Sequence, residues 1–217
     1  QNSAEGRPTS FLTGPDGQPA YSGPVNIQGR SYTLAPTAFP LTNDAQTHVM
    51  HGLSLKSRTQ GVFDWELAAS LYDYARDRQR APTVALPQAA SGGPGTLQSQ
   101  DGTGWNTLAA KGTWRPQGLQ GAHIVDFGAG RDAYRLGIDK VNVIGSWVDG
   151  PGNPQAPVSN VGGRTETAYL WAQDAWRFAP LWKAVLGLRW EDWKASSGFT
   201  ATAASLQRYG ERSESHL

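Results

Sequence analysis

The chain has 217 residues, with 19 Lys and Arg against 18 Asp and Glu for a net charge of +1, which leaves no electrostatic footprint for nucleic acid. It contains no cysteine, so disulfide frameworks, thiolate nucleophiles and Cys-type zinc sites are excluded, while the length suffices for one large domain or two small ones. With 26 Gly, 14 Pro, 9 Trp, 7 Tyr and 6 Phe beside a mean hydropathy of -0.49 it is polar yet rich in aromatics, and apolar runs such as Ala184-Val185-Leu186-Gly187-Leu188 fall far short of the ~18 residues of a spanning helix.

Residues 1–47 read as a polar link. The first alternating segment is expected near 48–58, where Val49, Leu53 and Leu55 hold one parity and His48, Ser54, Lys56 and Arg58 the other, sets that a strand sends to opposite faces. After the short turn Thr59-Gln60-Gly61, a second segment near 62–76 sets Phe63, Trp65, Leu67, Ala69 and Leu71 against Asp64, Glu66, Ser70 and Arg76. A link at 77–103, with the run Ser91-Gly92-Gly93-Pro94-Gly95, leads to a third segment near 104–115, where Leu108, Ala110 and Trp114 oppose Lys111. The turn Arg115-Pro116-Gln117-Gly118 joins it to a fourth near 121–134, whose faces are blurred by Asp126 and several glycines. The link 135–163 contains Asp149-Gly150-Pro151-Gly152-Asn153-Pro154 and precedes a fifth segment near 164–177, with Thr165, Thr167, Tyr169, Trp171 and Gln173 on the uncharged side and Arg164, Glu166 and Asp174 on the other. Ala179-Pro180 turns into a sixth near 181–193, with Trp182, Ala184, Leu186, Leu188 and Trp190 opposed to Lys183, Arg189 and Glu191, and 194–217 is the last link.

Short and long connections alternate strictly along this order. Soluble sheets seldom carry several structureless loops beyond ~15 residues, whereas an outer-membrane barrel crosses with ~9–11 tilted residues per strand, between periplasmic turns and external loops. The expected fold is all-β: an antiparallel up-and-down transmembrane β-barrel section of about six strands, open as a fragment, with short periplasmic turns and long extracellular loops. Leu67, Leu71, Trp182, Leu186 and Leu188 are then lipid-facing, while Lys56, Glu66, Lys111, Arg189 and Glu191 face a wet lumen. Phe63, Trp65, Trp114, Trp176 and Phe178, beside the short turns, form an inner aromatic girdle, and Tyr72, Tyr74, Trp105, Trp190 and Trp193 an outer one. The same alternation also fits a soluble β-sandwich that binds carbohydrate through surface aromatics.

Ile124-Val125-Asp126-Phe127-Gly128-Ala129-Gly130-Arg131-Asp132-Ala133 has the look of a nucleotide-binding glycine loop or of the first motif of S-adenosylmethionine-dependent methyltransferases. Such loops open a helix. The following Tyr134–Gly145 stretch is instead interrupted by Gly137 and rich in β-branched residues, and Asp132 replaces the third glycine, so a Gly-containing strand is expected. His48 and His51 lie three apart, on opposite faces of a strand, and do not converge on a metal. His123 and His216 are isolated, and all four histidines read as solvated or loop residues. No catalytic, cofactor-binding or metal-ligating set is assigned, and the chain is read as not an enzyme.

The run Thr165-Glu166-Thr167-Ala168-Tyr169-Leu170-Trp171-Ala172-Gln173-Asp174-Ala175-Trp176-Arg177-Phe178, a short turn, then Leu186-Gly187-Leu188-Arg189-Trp190-Glu191-Asp192-Trp193 resembles a mid-barrel hairpin of TonB-dependent outer-membrane receptors. Phe63-Asp64-Trp65-Glu66-Leu67-Ala68-Ala69-Ser70-Leu71-Tyr72-Asp73-Tyr74 is similar to another of their strands. The resemblance spans 48–193 and implies a Gram-negative outer-membrane barrel of about 22 strands around a folded plug. Such a receptor captures a scarce ligand, such as a ferric siderophore or cobalamin, and TonB pulls on the plug to admit it. No plug or TonB box is recognised here, so the chain is expected to be a middle section of a longer protein. The implied partners are the transported ligand, TonB through the plug region and the lipid bilayer, with no cofactor and no nucleic acid. Loops 77–103 and 135–163 are the expected ligand-facing parts, with Trp105, Tyr134 and Trp147 as rim candidates.

Overall fold

The computed structural model describes residues 2–5, 10–35, 38–148 and 153–217, with 2–5, 144 and 153–156 through their backbone only. Its strands are β1 (Asn2–Glu5), β2 (Gly23–Ile27), β3 (Arg30–Leu34), β4 (Asn43–Lys56), β5 (Phe63–Pro82), β6 (Gly95–Ser99), β7 (Gly104–Trp114), β8 (His123–Ile144), β9 (Asn153–Ala179), β10 (Trp182–Thr202), β11 (Leu206–Arg208) and β12 (Arg212–His216). β2 and β3 make a separate hairpin; the rest form one antiparallel sheet in the order β1-β4-β5-β6-β8-β9-β10-β11, with β7 also between β5 and β8 and β12 also on β10. From β4 onward spatial order follows chain order, the pattern of an up-and-down meander. Among the described residues no second sheet packs across this one, which removes the sandwich reading. Residues 126–132 lie inside β8 and no helix follows them, which removes the nucleotide-loop reading.

The strands run further than the alternation indicates. β5, β8, β9 and β10 have 20, 22, 27 and 21 residues, so 77–82, 135–144, 153–163 and 194–202 are strand where links were expected. Their polar side chains hide them from a hydropathy pattern, but cross-strand backbone hydrogen bonds hold them in place. Within the expected links 1–47 and 135–163, residues 1, 6–9, 36–37 and 149–152 lie outside the described residues.

Because the ladders are in register, residues line up in rows across the sheet. Leu55, Leu67, Ala110, Ala129, Leu170 and Trp190 make one row; Lys56, Glu66, Lys111, Gly128, Trp171 and Arg189 make the next, on the opposite face. One face is therefore apolar and the other polar. The rows correct the reading of 164–177: Tyr169 and Trp171 stand beside Glu191 and Arg189 on the polar face, and the oily residues of β9 are Leu170 and Ala172, beside Trp190 and Leu188. A register shift between Thr47 and His48 leaves Ala75 without a partner, so Arg76 pairs with Thr47 on the apolar side and does not continue the Asp64, Glu66, Ser70 set.

Three glycines of β7 and β8 have ring partners. Gly128 and Gly130 are registered with Trp171 and Tyr169. A Cβ on Gly128 would lie 2.7 Å from the Trp171 indole nitrogen and 2.6 Å from the Ala110 carbonyl oxygen, and one on Gly130 would strike the Tyr169 ring. Gly112, registered with Phe127 on the apolar face, would place a Cβ 2.7 Å from that ring. A ring lying over bare backbone offsets the weakness of a strand glycine, which is how the Phe127-Gly128-Ala129-Gly130 run remains a strand.

Beyond the strand ends, Leu41, Leu86, Ala89 and Trp147 form a small buried cluster flanked by Tyr21, Phe39, Val84, Ala90 and Val148. A 3-10 turn, Gln88–Ser91, carries Ala89 into it, and Trp147 Nε1 donates to the Ala89 carbonyl at 3.0 Å. The long connections thus share a core of their own.

Candidate ligand-facing wall

Toward the long-connection end of the polar face, Met50, Tyr72, Trp105, Tyr134, Thr165 and Ala195 form a row. Tyr72 and Trp105 stack with ring centres 4.2 Å apart and planes 7° from parallel. His48 stacks on Tyr74 at 4.0 Å and 10°, and its two nitrogens meet the Tyr72 hydroxyl at 2.9 Å and Asp77 Oδ2 at 2.8 Å. An ionised carboxylate only accepts, so Nε2-H donates to Asp77, and the Tyr72 hydroxyl, which can both donate and accept, suits either state of Nδ1. The bulge at Ala75 makes this triangle possible, since a one-residue slip turns Asp77 to the face that His48 occupies.

Asp77 in turn anchors the turn between β6 and β7: its amide donates to Asp101 Oδ1 at 2.7 Å. Burial pushes the Asp101 carboxyl up, but hydrogen bonds from Arg78, from the Asp77 amide and from Ser99 outweigh it and hold the group below the usual carboxylate range. Arg78 binds Asp101 Oδ2 through Nη2 at 2.6 Å and Nε at 2.8 Å.

Nearer the short turns the polar face is a set of matched charges. Lys111 Nζ lies 3.3 Å from Asp126 Oδ1, to which Thr113 donates at 2.5 Å, and Gln173 donates to Oδ2 at 3.3 Å. Arg115 reaches Asp64 at 2.8 Å. The wall as a whole offers flat rings flanked by hydroxyl and amide edges, all carried on strands. Flat rings can stack against a ring-bearing molecule, and hydroxyl and amide edges can orient it by hydrogen bonds.

Of the rim candidates, Trp105 and Tyr134 are directly registered with each other and belong to this wall. Trp147 does not: it is 4% exposed inside the loop core, so its ring is a packing element and the rim assignment is corrected. Phe63, Trp65, Trp114, Trp176 and Phe178 share the apolar face near the short turns, with the Phe178 ring 5.4 Å from Trp176 and 6.5 Å from Trp182. Leu67, Leu71, Leu186 and Leu188 are exposed on that face, as is Trp182 beside them. The expected outer girdle divides. Trp190 is on the apolar face, whereas Tyr72, Tyr74, Trp105 and Trp193 take the polar one. The sequence reading makes His48 a solvated residue and misses its meeting with Tyr72, Tyr74 and Asp77; the even parity of His48, Tyr72 and Tyr74, shared with Asp64 and Glu66, carried the signal, while the bulge concealed Asp77.

The family model described as TonB dependent receptor-like, beta-barrel matches residues 2–217. No curated protein and no solved structure matches the chain. With that match over nearly every residue and a single antiparallel meander divided into an oily and a polar face, the chain belongs to the TonB-dependent receptor β-barrel family.

Proposed function

We propose that the chain forms part of the wall of a Gram-negative outer-membrane receptor that captures a scarce ligand, such as a ferric siderophore or cobalamin, and admits it when TonB pulls on a plug seated against the polar face. The carrying observation is the row from Leu55 to Trp190, apolar at every strand it crosses, beside the row from Lys56 to Arg189 on the other face. Leu67, Leu71, Trp182, Leu186 and Leu188 meet lipid, with Phe63, Trp65, Trp114, Trp176 and Phe178 as the periplasmic girdle, because amphipathic rings prefer the boundary between hydrocarbon and water. The long connections face outward, and Trp105, Tyr134 and Tyr72 take the ligand's flat portion as it descends.

The test is uptake of radiolabelled ferric siderophores and cobalamin by cells producing the full protein. Trp105→Ala is expected to leave a barrel that still shifts on heating in a gel but to lower uptake of one ligand about tenfold, the loss of a stacking contact of ~1–1.5 kcal/mol. Uptake of every ligand unchanged by Trp105→Ala, or unaffected by removing TonB, would overturn the reading.

A further inference from the structure

On the apolar side, past the end of the oily rows, the sheet forms a recess of about 440 Å³ whose charged lining is Arg131, Arg135, Arg164 and Lys194 with Asp73 and Glu166. The ladder sets Arg135 directly opposite Arg164. Like charges placed directly opposite across a strand pair destabilise a sheet, yet both side chains are exposed and neither forms an ion pair among the described residues. The nearby anions do not relieve them. Glu166 is gripped by both guanidinium edges of Arg131, at 2.7 and 2.6 Å, and Asp73 is two strands from Arg135, beyond Gly104, or about 10 Å. Lys194 adds a further cation whose own partner, Glu211, is 3.8 Å away.

The position of this unneutralised pair indicates what would neutralise it. Leu71 lines the recess, and Leu108 and Leu170 continue the exposed oily surface from its lower edge. Arg135 is twelve residues along β8 from His123, at the short-turn end. With ~3.3 Å per residue and a tilt of ~40° this is about 30 Å, a little beyond the ~25 Å apolar band of an outer-membrane barrel. We propose that the recess binds the headgroup phosphate of an anionic membrane lipid, Arg135 and Arg164 holding the phosphate between them while the acyl chains descend over Leu71, Leu108 and Leu170. Guanidinium forks match phosphate oxygens, and the anion converts a repulsive cross-strand pair into a bridged one. The inference rests on the lipid-facing reading of the apolar face.

The full protein in detergent is titrated with phosphatidic acid, with diacylglycerol of the same chains and with inorganic phosphate, by native mass spectrometry. Phosphatidic acid is expected to bind at least about tenfold tighter than diacylglycerol, and inorganic phosphate to compete weakly. Arg135→Gln with Arg164→Gln should abolish that preference while raising the lipid-free melting temperature, because the repulsion is gone. A preference retained by the double variant, no preference in the parent, or displacement by inorganic phosphate at equal affinity would each overturn the inference. Quenching of tryptophan fluorescence by dibrominated acyl chains separates the two readings. Quenching without phosphate preference defeats this inference alone, whereas absent quenching defeats the lipid-facing reading beneath it.

Discussion

The guanidinium carbon of Arg189 lies 4.2 Å from the centre of the Tyr169 ring, across the β9–β10 ladder, while its Nε donates to Glu191 at 2.5 Å. Tyr169 itself covers Gly130, so three neighbouring strands are clasped on the polar face by one arginine, one ring and one missing side chain. The cation-ring contact is worth ~0.5–1 kcal/mol at such an exposed site.

Arg189→Ala should therefore lower stability by about that amount and leave the heat-modifiable band intact. If the apolar face meets lipid as proposed, Leu67→Arg sets a charge against hydrocarbon at ~2–4 kcal/mol near the midplane and assembly in membranes should fail, whereas Leu186→Arg, in the same row as Trp114 and Phe63 at the girdle, should cost only about 0–1 kcal/mol. Equal tolerance of all three substitutions in the gel assay would contradict the assignment of faces.

Alanine at Gly128, Gly130 and Gly137 should rank in that order of harm. The Cβ at Gly128 meets a backbone oxygen that cannot withdraw, the one at Gly130 meets a ring that can swing, and the one at Gly137 meets nothing within 4 Å. Overpacking at Gly128 should cost about 1–3 kcal/mol, whereas Gly137→Ala should be neutral or add ~0.4–1 kcal/mol through the unfolded chain. Urea midpoints of the three variants give the ranking, and a loss at Gly137 as large as at Gly128 would refute the account of ring cover.

Acidification should open the β6–β7 turn. The Asp101 carboxyl is held below its ordinary value of 3.8 in the folded chain, so its stabilising contribution is complete above that value and disappears as pH falls through the lower folded one. Amide hydrogen exchange at Asp77, whose N-H rests on Asp101, should stay protected at neutral and mildly acidic pH and lose protection only below the usual carboxylate range. Asp101→Asn should remove this pH dependence; protection lost already above about pH 5 would rule the linkage out.

Trp147→Ala should loosen the long connections without affecting the barrel wall. Truncating a buried tryptophan costs about 3–5 kcal/mol, here charged to a small cluster that local opening can release. Limited proteolysis should cut 83–94 sooner in this variant, while heat-modifiability stays as in the parent. Unchanged cleavage would mean that the cluster does not restrain the loops.

The all-β antiparallel fold was legible because the oily residues of 63–71 and 182–190 keep to one parity, whereas β1, β2, β3, β6, β11 and β12 fall within stretches that read as polar links. The faces of 164–177 were not legible, since Tyr169 and Trp171 look oily by type yet lie on the polar side, where each covers a glycine. Period-two reading also cannot see a bulge, so the unpaired Ala75 hid the meeting of His48 with Asp77 and turned Arg76 around. The extensions past Arg76, Tyr134 and Trp193 went unread because nothing on either of their faces need be apolar. Trp147 shows the converse: a large ring in a Gly/Pro-rich link looked available to a ligand, and the residues that bury it come from three distant loops.

The ring-over-glycine pairs also constrain how the hairpins close. Were β9 to slide one step along β8, Trp171 would settle against the methyl of Ala129 and every greasy position would swap sides with a polar one. The bare notches at 112, 128 and 130 therefore act as keyways, admitting a single alignment and penalising near misses during insertion. The register thus carries its own proofreading, written in the residues that have no side chain.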